Sequence, residues 1–258
     1  MSTTALPQQR PPADMPQALP RLTAQSALFL DFDGTLVDIA AQPDLVQVPP
    51  ELPGLLAALH TALGGALAIV SGRKLSDIDR FLAPQILPVS AEHGALFRLA
   101  GGVLTRVASP DLHEVSRVAL ALAAQHPALT VEIKTTAVSL HYRQAPELEA
   151  SCLEAMAEAV KRSPGLELLR GKFVFDINAA GVSKGSAIMA LMGQPPFAQR
   201  LPLFAGDDTT DEAGFAAVQT MGGDTIKVGE GHSLATHRCA SPSVLLQWLH
   251  TSLQGFRA

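Results

Sequence analysis

Cysteine is nearly missing from this 258-residue chain. Cys152 and Cys239 lie far apart, with no CxxC and no histidine at metal-ligand spacing, which excludes a disulfide framework and leaves no zinc site to assign. Both read as ordinary buried thiols. Aromatic residues make up only 5%, with one Trp and one Tyr, and no Lys/Arg run is interleaved with them. With a net charge of -5, the chain offers nothing that would track a nucleic-acid backbone. No segment approaches the roughly 18 apolar residues that span a bilayer, and the polar, Pro-rich start MSTTALPQQRPPADMPQALP lacks the apolar region of a secretion signal. Two phosphate-binding signatures are also missing: GxxxxGK[ST], and GxGxxG after a strand. The expectation is a soluble, cytoplasmic protein acting on a small molecule, without nucleic acid or membrane. Its oligomeric state is left open, a monomer being favoured.

What is present is an apolar fraction of 47%, arranged in short runs that end in polar tips. The run 27–30 (ALFL) ends in DFDGT, 66–70 (ALAIV) ends in Ser71-Gly72, and 201–205 (LPLFA) ends in Gly206-Asp207-Asp208. A helical pattern over 52–63 separates the first two. Short apolar runs alternating with helices predict parallel strands buried on both faces. Such sheets bind ligands at the carboxyl ends of their strands, so the three tips can build one site although the first and last lie about 175 residues apart. Between them the rhythm changes to helix, two strands, helix, two strands. The reading is a disordered tail over 1–26, a core over 27–109 and 183–258, and an inserted α+β domain over 110–182 that folds over the mouth of the site. Residues suited to hinges stand at Ser109-Pro110 and Gly181-Val182.

Asp31 and Asp33 sit two apart at a strand end, where extended geometry places both side chains on one face. Their repulsion calls for a cation, a proton or a hydrogen bond. Asp207 and Asp208 place more acids after a buried strand, and one of them is suited to capping the next helix. Hard oxygen ligands without His or Cys point to Mg²⁺. Ser71 and Gly72 offer a hydroxyl and an open backbone N–H to phosphate oxygens. Lys184 stands near a helix N-terminus, where its charge gains nothing from the helix dipole.

DFDGT, SGR, SKG and GDDTTDE occur in the order and spacing of the four motifs of haloacid dehalogenase-like phosphatases, which this sequence resembles. The resemblance implies a Rossmann-like α/β core with an inserted α+β cap. Asp31 is then the nucleophile that forms an aspartyl-phosphate, and Asp33 the general acid and base. Mg²⁺ is held by Asp31, the Asp33 carbonyl and Asp207, with Asp208 nearby, while Ser71 and Lys184 hold the phosphoryl oxygens. Within the insertion, VEIK (131–134), LHYR (140–143) and Gly171-Lys172 leading to Asp176 look like the trehalose-6-phosphate phosphatase family, as do SAEHG (90–94) and Val228-Gly229. That family implies sugar contacts at Glu132, Lys134, Arg143, Lys172 and Asp176, with Arg73 close to the mouth of the site. The family usually carries Glu, followed three residues later by Pro, where this chain reads DINA over 176–179. The shorter acid leaves the sugar specificity open: another sugar phosphate such as sucrose 6-phosphate is the alternative, and a silent sugar-phosphate-binding module the alternative outside catalysis. His93 is assigned either a sugar contact or a role in orienting its loop.

Overall fold

The computed structural model describes residues 18–99, 101–106, 111–134 and 136–256. Eight strands form the larger sheet: β1 (Ser26–Leu30), β2 (Leu67–Val70), β3 (Val89–Ala91), β4 (Leu96–Arg98), β5 (Leu104–Arg106), and, after the insertion, three more. With β6 to β9 reserved for the insertion, these three are β10 (Leu201–Gly206), β11 (Asp224–Val228) and β12 (His237–Cys239). Their spatial order is β12-β11-β10-β1-β2-β3-β4-β5, parallel from β12 to β3, with β4 and β5 returning antiparallel.

The two-residue period of a strand explains why β1 and β2 are apolar throughout. Leu28, Leu30, Leu67 and Ile69 face a core shared with helices α1 (Leu52–Ala62), α2 (Leu75–Leu82) and α7 (Pro242–Gly255). Ala27, Phe29, Ala68 and Val70 face the opposite core with α5 (Lys184–Met192) and α6 (Glu212–Thr220). Both faces are therefore covered, and the carboxyl ends of β1, β2 and β10 lie side by side as the sequence predicts.

The insertion folds as an antiparallel sheet of β6 (Thr130–Ile133), β7 (Ala137–His141), β8 (Leu166–Gly171) and β9 (Val174–Ala179), in the order β6-β7-β9-β8, with α3 (His113–Gln125) and α4 (Glu149–Lys161) on one face. Val138, Leu140, Phe175 and Ile177 pack against those helices. The alternate residues face the other way, and the register pairs Glu132 with Ser139 and Ser139 with Asp176. One polar row thus crosses three strands on the face without helices.

Two expectations change. The tail does not run to residue 26: Leu22 is buried in the core and the Trp248 indole N–H donates to the Pro20 carbonyl at 3.0 Å, so apolar anchoring begins near Leu19, while residues 1–17 lie outside the described ones. The last strand of the insertion, which the sequence pattern starts at Lys172, starts at Val174: Lys172 occupies the turn between β8 and β9, completed by Phe173 at φ +63°. The Ser109-Pro110 connection lies outside the described residues. Both cysteines are buried free thiols, and among the described residues no helix is long and apolar enough to cross a membrane.

Candidate active site

Asp31 follows β1, Ser71 follows β2, and Asp207 follows β10, so the sheet delivers all three to one edge. Lys184 is the first residue of α5, whose N-cap Ser183 accepts from the Ser186 amide at 3.1 Å. Burial decides how these groups behave. Asp31 is 4% exposed, Lys184 3% and Asp211 0%. The Lys184 ammonium lies 2.9 Å from Asp31 and 2.6 Å from Asp211. Burial pulls the lysine's pKa down, but Asp211 and Asp31 outweigh it and hold the ammonium above its ordinary value.

Carboxylate oxygens of Asp31, Asp207 and Asp211 come within 4.8 Å of one another. Burial pushes the Asp31 carboxyl well above the usual range; Asp211 and Asp207 push the same way, and Lys184 pulls back. Asp207 is pushed up to about 7, again by burial first and Asp211 second. Three crowded acids against one ammonium leave an excess of negative charge, and the all-oxygen donor set suits a hard divalent cation. The sequence reading missed Asp211 and took Asp208 as the neighbouring acid. In the structure the Asp208 carboxylate accepts from Thr209 N and, at 3.2 Å, from Lys172 N, whereas Asp211 accepts from the Asp207 and Asp208 amides, both at 2.9 Å, and turns to Lys184. The signal was the acid four residues after Asp207. Lys227, also unassigned, is buried and donates to the Asp207 carbonyl.

Gly34 is required twice over. It has φ +73°, and a Cβ there would lie 2.0 Å from the Asp207 carboxylate. The chain can therefore turn after Asp33 only by passing directly beneath Asp207. Asp33 itself is gripped at both oxygens by Arg73, at 2.6 and 2.7 Å, and Arg73 lies over the Phe81 ring at 5.0 Å. Ser71 is buried, with its hydroxyl accepting from the Arg73 amide at 3.2 Å.

The smaller sheet meets this edge through its polar row. Lys134 donates to the Gly72 carbonyl at 2.9 Å, and Glu132 lies 3.7 Å from Lys74 and 3.8 Å from His141. Burial raises the Glu132 pKa, but His141, Lys134 and Lys74 together lower it to about 2. Asp176, 4% exposed, accepts from the Ser139 hydroxyl and stands 3.4 Å from His93 and 3.9 Å from Lys134. Burial opposes its ionisation, yet these partners hold it below the ordinary carboxylate range. Arg143 bonds the Ala40 carbonyl at 3.2 Å, and Thr209 the Arg170 carbonyl at 2.7 Å. The structure thus brings Arg73, Glu132, Lys134 and Asp176 together; Arg143 and Lys172 meet the larger sheet's loops at other points. A cavity of about 430 Å³ bordered by His60, Gly65 and Pro196 lies at the opposite edge of the larger sheet, away from these groups.

The family model for trehalose-phosphatase matches residues 29–243. The trehalose-6-phosphate phosphatase of Escherichia coli (strain K12) is 40% identical over 240 residues, covering 91% of this chain and 90% of that protein. A probable trehalose-phosphate phosphatase of Sinorhizobium fredii is 42% identical over 205 residues, covering 79% and 77%. The solved C-terminal domain of Candida albicans trehalose-6-phosphate phosphatase superposes with a TM-score of 0.81 over 90% of this chain and 92% of that one, at 22% identity, a likeness of fold. The motifs, the shared sheet architecture and these matches place the chain in the trehalose-phosphatase family of haloacid dehalogenase-like enzymes.

Proposed function

We propose that this protein hydrolyses trehalose 6-phosphate to trehalose and phosphate, with Mg²⁺ as cofactor. The observation that carries the reading is the buried contact of Asp31 with Lys184 at 2.9 Å, beside the carboxylates of Asp207 and Asp211. An Asp31 oxygen attacks phosphorus, and the bond from phosphorus to the sugar oxygen breaks. Asp33 gives that oxygen its proton. In the second half, Asp33 takes a proton from water, whose oxygen attacks phosphorus and frees phosphate, restoring Asp31. Lys184 and the Ser71 hydroxyl hold phosphoryl oxygens. Asp31, Asp207 and Asp211 would hold Mg²⁺, which when bound neutralises phosphoryl charge and the excess of carboxylate.

Sugar selection belongs to the smaller sheet, which we read as a cap. Its row of Glu132, Lys134 and Asp176 supplies charged donors and acceptors suited to hydroxyl groups, and it already touches Gly72 of the phosphate loop. Phosphate release from trehalose 6-phosphate, sucrose 6-phosphate and glucose 6-phosphate, with Mg²⁺ or chelator, tests the proposal. Turnover confined to trehalose 6-phosphate, dependent on Mg²⁺ and abolished in Asp31→Asn, is expected. Preference for another sugar would overturn the substrate, and turnover by Asp31→Asn would overturn the nucleophile.

A further inference from the structure

The segment Glu92-His93-Gly94 has three consecutive positive φ angles, 51°, 59° and 112°. Two of these residues carry side chains, for which this backbone region is strained. Their backbone is stitched to the phosphate loop: Glu92 N donates to the Arg73 carbonyl and His93 N to the Ser71 carbonyl, both at 3.0 Å. Their side chains point to the smaller sheet. The Glu92 carboxylate accepts from Thr136 N at 3.2 Å and Thr136 Oγ1 at 3.0 Å, and the His93 ring reaches Asp176. A strained loop is thus held where it joins the catalytic edge to the polar row.

His93 is 7% exposed, and its ring abuts Gly72, where a Cβ would stand 2.3 Å from both Cε1 and Nε2. Nε2 is 3.4 Å from Asp176 Oδ2. An ionised carboxylate only accepts, so Nε2 faces it as a donor, and Nδ1 is left for another partner. Nδ1 is buried and has no partner among the described residues. A buried nitrogen without a partner destabilises the protein unless a ligand supplies one. The same ring borders, with Lys184, Leu168, Arg170 and Thr209, a cavity of about 230 Å³ between the two sheets, below the size that drug-like ligands occupy.

We propose that His93 is a specificity-determining residue that binds a hydroxyl of the substrate sugar through Nδ1 while Asp176 holds the ring by Nε2. The inference rests on the sugar-phosphatase reading above. It also gives the shorter acid a further role: Asp176 acts on the sugar through His93 as well as through the polar row.

The amide of Gln places a polar atom where Nε2 lies, and that of Asn where Nδ1 lies, so two substitutions separate a sugar contact from a strut. In an Asp31→Asn background, which cannot turn over, calorimetry compares binding of trehalose 6-phosphate with inorganic phosphate. His93→Gln is expected to lower the preference for the sugar phosphate at least tenfold, and His93→Asn to keep it within about threefold. The reverse order makes His93 a strut and overturns the inference. In the same background without substitution of His93, the ¹⁵N resonance of Nδ1 is expected to shift on titration with trehalose 6-phosphate and not with phosphate alone; an unmoved Nδ1 overturns the inference even where the variants fail to fold. Should Asp31→Asn itself show no preference for the sugar phosphate, the substrate reading falls and this inference with it. A preference that His93→Gln leaves intact removes this inference alone.

Discussion

Arg73 holds Asp33 by both carboxylate oxygens, at 2.6 and 2.7 Å, and is itself braced over Phe81. The planar fork of a guanidinium fixes the carboxylate in orientation as well as position, and an ammonium cannot reproduce that. Because Asp33 is the proposed proton donor to the leaving oxygen, its aim bears on kcat. Arg73→Lys is expected to lower kcat about 10–100-fold, short of the loss in Asp33→Asn, since a general acid contributes about 10²–10⁴-fold. The double variant should be no worse than Asp33→Asn alone. Steady-state kinetics on all four proteins checks this; additive losses would mean that Arg73 acts on the substrate independently of Asp33.

Asp211 and Asp208 stand three residues apart and do different work. Asp211 is wholly buried against Lys184 and two loop amides, whereas Asp208 caps a turn at the boundary with the smaller sheet. Removing one partner of a buried ion pair costs about 3–5 kcal/mol. Relief of carboxylate crowding offsets part of that, so Asp211→Asn is expected to lose roughly 2–3 kcal/mol and most activity. Asp208→Asn, which can still cap, should lose less than about 1 kcal/mol and keep activity within about tenfold. Urea unfolding in chelator with parallel kinetics decides it; equal effects would return Asp208 to the cation-binding set.

Much of this arrangement was legible in the sequence. An apolar strand buried on both faces has to be apolar at every position, and 27–30 and 66–70 advertise themselves for that reason. The strand tips followed, with Asp31, Ser71 and Asp207 at the expected edge. The three-residue strands β3, β4, β5 and β12 escaped because so short a segment shows no periodicity. Asp211 escaped because a carboxylate in the first turn of a helix has an ordinary explanation in the helix dipole, and nothing local announces a lysine 27 residues earlier in the chain. The link from Asp176 to His93 joins a strand of the smaller sheet to the turn between β3 and β4 of the larger one. No local pattern encodes a pairing that depends on how two sheets meet.

The crowding around Asp207 has its own consequence. Its pKa in the folded protein, about 7, lies above the value near 3.9 of an unfolded aspartate. Folding therefore favours its protonated form, and without metal the protein loses stability as pH rises from about 4 through about 7. Asp207→Asn removes that penalty and is expected to be about 1–3 kcal/mol more stable than the wild type at pH 8 in chelator. Added Mg²⁺ should raise the Tm of the wild type, since a ligand of the native state stabilises it, and raise that of the variant much less. Thermal melts with and without Mg²⁺ test both halves. An equal Mg²⁺ gain in the two proteins would place the cation away from Asp207.

Glu132 carries the opposite sign. Its pKa falls from an unfolded value near 4.3 to about 2 in the native protein, because His141, Lys134 and Lys74 outweigh its burial. Such a group stabilises the native state above about pH 4.3 and loses that contribution as pH falls through about 2. The full shift corresponds to about 3 kcal/mol; with the side chain 29% exposed, screening by solvent reduces the expectation to about 1–2 kcal/mol. Glu132→Gln cannot ionise, so it should be less stable than the wild type by that amount at pH 5.5, with the gap closing near pH 2. Urea unfolding of both proteins across this range measures the gap directly. A constant difference at every pH would assign the loss to packing and leave the three cations without an electrostatic role in holding β6 to the catalytic edge.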